Sequence, residues 1–91
     1  MVQENKKQYL SLLSEIIAKE SVVFGPDIAI LKARSIVGLV LDANGNVVDI
    51  KGYAADATQE LVKKYLELSY LVAKTAIDSI FEKYPQIKKF Y

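Results

Sequence analysis

The sequence predicts a mainly α-helical domain, a helix bundle with four helices or with three helices of which the last is long. Two observations predict this class. Apolar residues recur at spacings of three and four through the first and last thirds of the chain, which is the period of an amphipathic helix. The 91 residues are 52% hydrophobic and suffice for one domain, residues 1–91. The middle third differs, and it allows a short β-hairpin.

The first predicted helix runs from about Gln3 to Glu20. Polar residues such as Lys6 and Ser11 alternate with one apolar stripe, whose members are Tyr9, Leu12, Leu13, Ile16 and Ile17. A second helix is predicted to start at Gly25-Pro26-Asp27. Proline at the first helical position loses no hydrogen bond, and an aspartate in the first turn favours the positive end of the helix dipole.

The middle segment has two interpretations. In one, Leu39–Asp42 and Asn46–Ile50 form a β-hairpin closed by an Asn44-Gly45 turn. In the other, the second helix continues to about Val40 and a loop follows. A lone hairpin is marginal unless it packs on helices or pairs with another subunit. We expect helix to about Val37, followed by a short hairpin or an ordered loop.

The last predicted element opens at Asp56. Asp56-Ala57-Thr58-Gln59 has the spacing of a capping box, no glycine or proline occurs from there to Tyr84, and Pro85 ends the pattern. The element is one long helix or two helices that meet near Ser69-Tyr70. When the sequence is aligned with itself at an offset of 44 residues, the apolar pattern of the first half matches that of the second half. Gly25-Pro26 is then aligned with Ser69-Tyr70. If this is a true repeat, each half is a helical hairpin.

The segment Gly25-Pro26-Asp27-Ile28-Ala29 resembles a helical repeat that is appended to some prokaryotic signalling proteins. The whole chain also resembles small uncharacterised helix-bundle proteins of Sulfolobus-type archaea. This resemblance implies a fold and brings no active-site residues with it. The resemblance also implies an archaeal source, and a thermophilic source agrees with the composition, in which lysine supplies all but one of the 12 basic residues.

The chain contains no histidine and no cysteine. These residues supply most proton transfer near neutral pH, most soft-metal ligation and all thiol chemistry, so we expect no enzyme activity and no cofactor. The formal net charge is +1 and no basic patch is gathered, which predicts no nucleic-acid partner. The most apolar stretch, residues 22–41, contains Asp27, Lys32 and Arg34, which predicts no membrane span. We expect a cytoplasmic protein.

A candidate cation site lies in the middle segment, where Asp42, Asn44, Asn46 and Asp49 offer four oxygen donors within eight residues. The spacing does not match an EF-hand loop, because the sixth position from Asp42 is not glycine and the twelfth is not glutamate. Carboxylate-bridged dimetal sites in bundles need Glu-x-x-His pairs, which this chain lacks. The acidic residues of the last element are therefore expected on a solvated face; they are Glu60, Glu67, Asp78 and Glu82.

The function predicted from the sequence is a non-enzymatic interaction or adaptor module. Its apolar surplus predicts self-association as a homodimer, or another protein partner. Two alternatives remain: a calcium-binding protein that uses the Asp42–Asp49 loop, and an α+β dimer similar to roadblock-type regulators, in which the hairpin pairs subunits. The apolar tail from Ile87 to Tyr91 is expected to fold back on the bundle or to dock on a neighbour.

Overall fold

The structure is a computed structural model that describes residues 5–91. Its described part confirms a mainly helical domain of four helices with a two-stranded antiparallel hairpin between the second and third. The elements in chain order are α1 (Lys6–Phe24), α2 (Pro26–Arg34), β1 (Leu39–Leu41), β2 (Val47–Ile50), α3 (Ala54–Leu68) and α4 (Tyr70–Phe81). The predicted helix start at Gln3 lies outside the described residues.

Helix α1 continues one turn beyond its predicted end at Glu20. Its N-terminus is capped by the Asn5 side chain, which accepts a hydrogen bond from the backbone N–H of Gln8. Gly25 follows with φ +92° and turns the chain, so that Pro26 begins α2 as predicted. The two helices therefore meet at a one-residue corner.

The predicted end of the second helix near Val37 was wrong, since α2 ends at Arg34. The Ser35 hydroxyl donates to the Lys32 carbonyl, and Ser35–Gly38 form turns instead of a further helical turn. Gly38 has φ +98°, and a Cβ at this position would lie 2.5 Å from the Lys51 carbonyl oxygen. The chain thus leaves the helix at Ser35, earlier than the apolar pattern suggests, and turns so that Gly38 comes close to Lys51 beside the hairpin.

The β-hairpin is confirmed, with Leu39 opposite Ile50 and Leu41 opposite Val47. Its loop differs in detail from the predicted Asn-Gly turn. Asp42 and Asn46 close a three-residue loop, and only its glycine, Gly45 with φ +87°, has a positive φ. The sheet of the described residues contains these two strands, whereas the α+β alternative needs more.

The last element is two helices, the second of the two predicted arrangements. The break is Ser69, whose backbone is extended at φ −163° and ψ 107°. The predicted capping box was wrong: the helix starts at Ala54, Tyr53 is its N-cap residue, and Asp56 lies inside the first turn, where its charge still favours the helix dipole. Helix α4 ends at Phe81, and turns lead to Pro85.

The core is one apolar cluster to which every helix and β2 contribute, and the predicted stripes supply most of it. The tail joins this cluster, because Ile87 is buried and the ring of Phe90 packs edge-on against Phe81. The part of the tail predicted to fold back on the bundle therefore does so. No helix among residues 5–91 is long and apolar enough to cross a membrane.

Candidate functional site

The most unusual group in the interior is the carboxyl of Glu20. Its side chain is 0% exposed, and neither carboxyl oxygen has a hydrogen-bond donor among the described residues. Buried carboxylates are normally paired with a cation or held by several donors, because desolvation strongly disfavours the charged form. Burial accordingly raises the pKa of Glu20 to about 7. This carboxyl can gain or lose a proton near neutral pH.

Glu20 belongs to a cluster that joins three helices. Tyr65 of α3 is also fully buried, and its hydroxyl donates a hydrogen bond of 2.7 Å to the carbonyl oxygen of Ala29 in α2. Burial and the negative charge of Glu20 raise the pKa of Tyr65, so this phenol stays protonated. The cluster therefore contains one group that changes its charge near pH 7 and one that remains a hydrogen-bond donor.

Glu20 was not among the functional candidates predicted from the sequence, although its spacing on α1 contains a signal. Glu20 lies seven residues after Leu13, four after Ile16 and three after Ile17, which places it on the apolar stripe of α1. A carboxyl on a buried stripe has to be paired, protonated or strained. The absence of a hydrogen-bond donor for the Glu20 carboxyl among the described residues becomes visible only in the structure.

The candidate cation ligands lie together only in part. Asp42, Asn44 and Asn46 share the hairpin loop, where the Asp42 carboxylate accepts hydrogen bonds from the backbone N–H groups of Asn44 and Asn46, at 2.9 and 3.0 Å. The side-chain amide of Asn46 donates to its other oxygen at 3.3 Å. These hydrogen bonds lower the pKa of Asp42, and the bond from the backbone N–H of Asn46 has the largest effect. They hold the loop in shape.

The fourth candidate ligand, Asp49, is engaged elsewhere. Its carboxylate lies 2.5 Å from the Lys6 amino group and accepts a hydrogen bond from the backbone N–H of Ile50. Both contacts lower the pKa of Asp49, and the contact with Lys6 has the largest effect. Within residues 5–91, no three acidic side chains come together as a metal-binding group. The calcium site remains a prediction that calcium titration has to test.

The acidic residues of the last helices behave in two ways. Glu60, Glu67 and Glu82 are exposed, as predicted for a solvated face. Asp78 is partly buried and anchors the C-terminus: it binds Lys74 at 2.8 Å and Lys89 at 2.8 Å, and it accepts a hydrogen bond of 2.6 Å from the Tyr91 hydroxyl. These contacts hold the pKa of Asp78 well below its usual range, and the hydrogen bond from Lys74 has the largest effect.

An exposed apolar surface lies at the junction of α3 and α4. Leu71 is 75% exposed and Tyr70 is 55% exposed, and Leu68 and Val72 are also exposed. We call these four residues the α4 patch. Four large apolar side chains within five positions are not hidden by the rest of the described chain. Such surfaces mark interaction sites more often than isolated apolar residues do.

No family model, no curated protein and no solved structure matches this chain. The resemblance to archaeal helix-bundle proteins therefore remains a prediction, and function has to be argued from the surfaces and groups described above.

Proposed function

We propose that this domain is a non-enzymatic interaction module that associates with a second copy of itself through the α4 patch. The observation that supports this proposal most strongly is the exposure of Leu71 and its neighbours at the start of α4. The hydrophobic effect favours removal of such side chains from water, and a second molecule is what can cover them.

The composition of α4 strengthens the argument. Among the 12 residues of this helix only Lys74 and Asp78 are charged, and they bind each other. The inward side carries the core residues Ala73, Ile77 and Ile80, and the outward side begins with Leu71 and Val72. The first turn of α4 is therefore apolar on its outward side as well, and an apolar outward surface is normally covered.

A second copy fits this surface better than a charged partner does. The patch itself has no charged residue with which to select an acidic or basic ligand, and the formal net charge of +1 produces little repulsion between two chains. In a two-fold symmetric dimer the α4 patch of one molecule packs against the α4 patch of the other, so each patch is covered by its own copy. The proposed cytoplasmic location is supported by the lack of cysteine, since small secreted domains usually depend on disulfides.

Light scattering over a range of concentrations tests the proposal. We expect the wild-type chain to reach twice the mass of one chain, and Leu71→Glu to remain a monomer because its charge would have to be buried in the interface. Val37→Glu is the matched control: Val37 is 91% exposed but lies on the connection after α2, away from α4 in sequence. A wild-type monomer at millimolar concentration, or equal effects of both variants, would contradict the proposal.

A further inference from the structure

Glu20 has properties that self-association does not explain. Both of its carboxyl oxygens are buried without a donor among the described residues, in a domain small enough for each buried polar group to matter. A leucine at this position would continue the stripe of α1 without this penalty. The position therefore carries a group that is unfavourable whenever it is charged.

Among the described residues, no cationic side chain is paired with the Glu20 carboxyl. Helices α2, α3 and α4 and strand β2 all pack against α1. Tyr65 of α3 is the titratable group that interacts with Glu20 electrostatically, and it is neutral. The pKa shift of Glu20 arises from burial, and within residues 5–91 no group donates a hydrogen bond to either carboxyl oxygen. Ionised Glu20 consequently has to reach water.

The shortest way to water along the chain is the α1–α2 corner. Glu20 lies four residues before the end of α1 at Phe24, and Gly25 forms the corner with open space where a Cβ would stand. Val22, two residues from Glu20, is 85% exposed. The last turn of α1 can therefore open at the corner while α3 and α4 stay packed, since helix ends open locally at lower free energy than the core.

We propose that Glu20 is a proton-operated latch of the α1–α2 corner. With its proton, the carboxyl stays in the core and the corner is closed. Without it, the carboxylate moves to water, the last turn of α1 loosens, and the contact of α2 with Tyr65 through the Ala29 carbonyl is weakened. The domain thereby presents a different apolar surface at its corner in mildly alkaline and mildly acidic conditions.

Hydrogen exchange of backbone amides at pH 5 and pH 8, corrected for intrinsic rates, tests the latch on the full chain. We expect protection in residues 21–33 to fall by about tenfold or more at pH 8, with α3 and α4 little changed, because the ionised fraction of Glu20 sets the population of the open corner. In Glu20→Gln the protection should be the same at both pH values. Glu60→Gln, an exposed glutamate, is the matched control and should behave as wild type.

A carboxyl titration followed by NMR provides a second readout that requires no variant to fold. A Glu20 midpoint near 7 with a simultaneous change in the amides of the corner supports the latch. An ordinary glutamate midpoint overturns it, and so does unchanged protection in the wild type. Equal loss of protection in all four helices would also overturn it, because the opening would then be global unfolding.

Discussion

The hydroxyl of Tyr65 in α3 lies 2.7 Å from the carbonyl oxygen of Ala29 in α2, and both residues are fully buried. This bond connects the two helical hairpins of the domain, α1–α2 and α3–α4. It also holds the phenol whose pKa the charge of Glu20 raises. The interior is therefore organised around a polar pair as well as around apolar stripes.

Removal of this hydroxyl should weaken the domain measurably. We expect Tyr65→Phe to lower the free energy of unfolding by about 1 kcal/mol, the usual net contribution of one buried hydrogen bond, because the ring still fills its space. Chemical denaturation measures the change. Tyr53→Phe is the control, since Tyr53 is 75% exposed and lies outside the α4 patch, so its substitution should have little effect. Equal stabilities of Tyr65→Phe and wild type would show that the bond contributes nothing.

Glu20 should give the domain an unusual dependence on pH. Its folded-state pKa of about 7 is above the ordinary value of 4.5, so the unfolded chain loses this proton first and the free energy of unfolding falls as pH rises from about 4.5 to 7. The full loss is about 3 kcal/mol.

Asp78 affects stability with the opposite dependence on pH. Its pKa is lowered, so its contribution to stability is present above the ordinary aspartate pKa and is lost as pH falls below it.

Denaturation curves at several pH values measure this dependence. We expect maximum stability in mildly acidic solution for the wild type, and a flatter profile between pH 5 and 8 for Glu20→Gln. The exposed-site variant Glu60→Gln should retain the wild-type slope. A wild-type stability that rises through this pH range would mean that Glu20 is ionised in the folded state at little cost.

The hairpin loop should depend on Gly45. We expect Gly45→Val to destabilise the domain by about 2 kcal/mol, because a β-branched residue is strained at φ +87°. In addition, its Cβ would lie 2.9 Å from the Ile30 side chain, which has to move. Thermal unfolding measures the loss. Ala43→Val, in the same loop but without a positive φ, is the control and should be tolerated far better.

Calcium titration tests the predicted cation site. Because the Asp42 carboxylate already accepts three hydrogen bonds from its own loop and Asp49 binds Lys6, we expect no rise in Tm at millimolar calcium. A saturable rise that Asp42→Asn or Asp49→Asn removes would instead make the loop a calcium site. The exposed-site variant Asp27→Asn serves as the control for a nonspecific charge effect.

The sequence predicted the elements that depend on local pattern. The helical stripes and the helix start at Gly25-Pro26 follow from spacing and turn residues, whereas the hairpin and the break at Ser69 were each one of two interpretations that the sequence left open. The 44-residue shift aligned Gly25 with Ser69, the residues at the two breaks between paired helices. What depends on distant contacts was missed. The turn that follows α2 brings Gly38 against Lys51, which is far along the chain, and the start of α3 at Ala54 precedes the polar residues that resembled a cap.

The α4 patch and Glu20 also combine features that the local sequence pattern predicts with features that depend on distant contacts. The apolar surplus of the composition predicted an uncovered surface, but its position at the start of α4 depends on which side of that helix packs inward. The position of Glu20 on the α1 stripe was visible in the sequence. Its lack of a donor depends on the side chains that α2, α3 and α4 bring around it, and only the folded structure shows these.

Backbone NMR spectra recorded during dilution test most directly the central claim that the α4 patch joins two copies of this chain. We expect the amides of residues 68–75 to shift with concentration, while those around Val37 and in the hairpin stay constant. Concentration-dependent shifts confined to the strands would favour subunit pairing through the hairpin. Spectra that do not change with concentration, together with the mass of one chain, would contradict self-association.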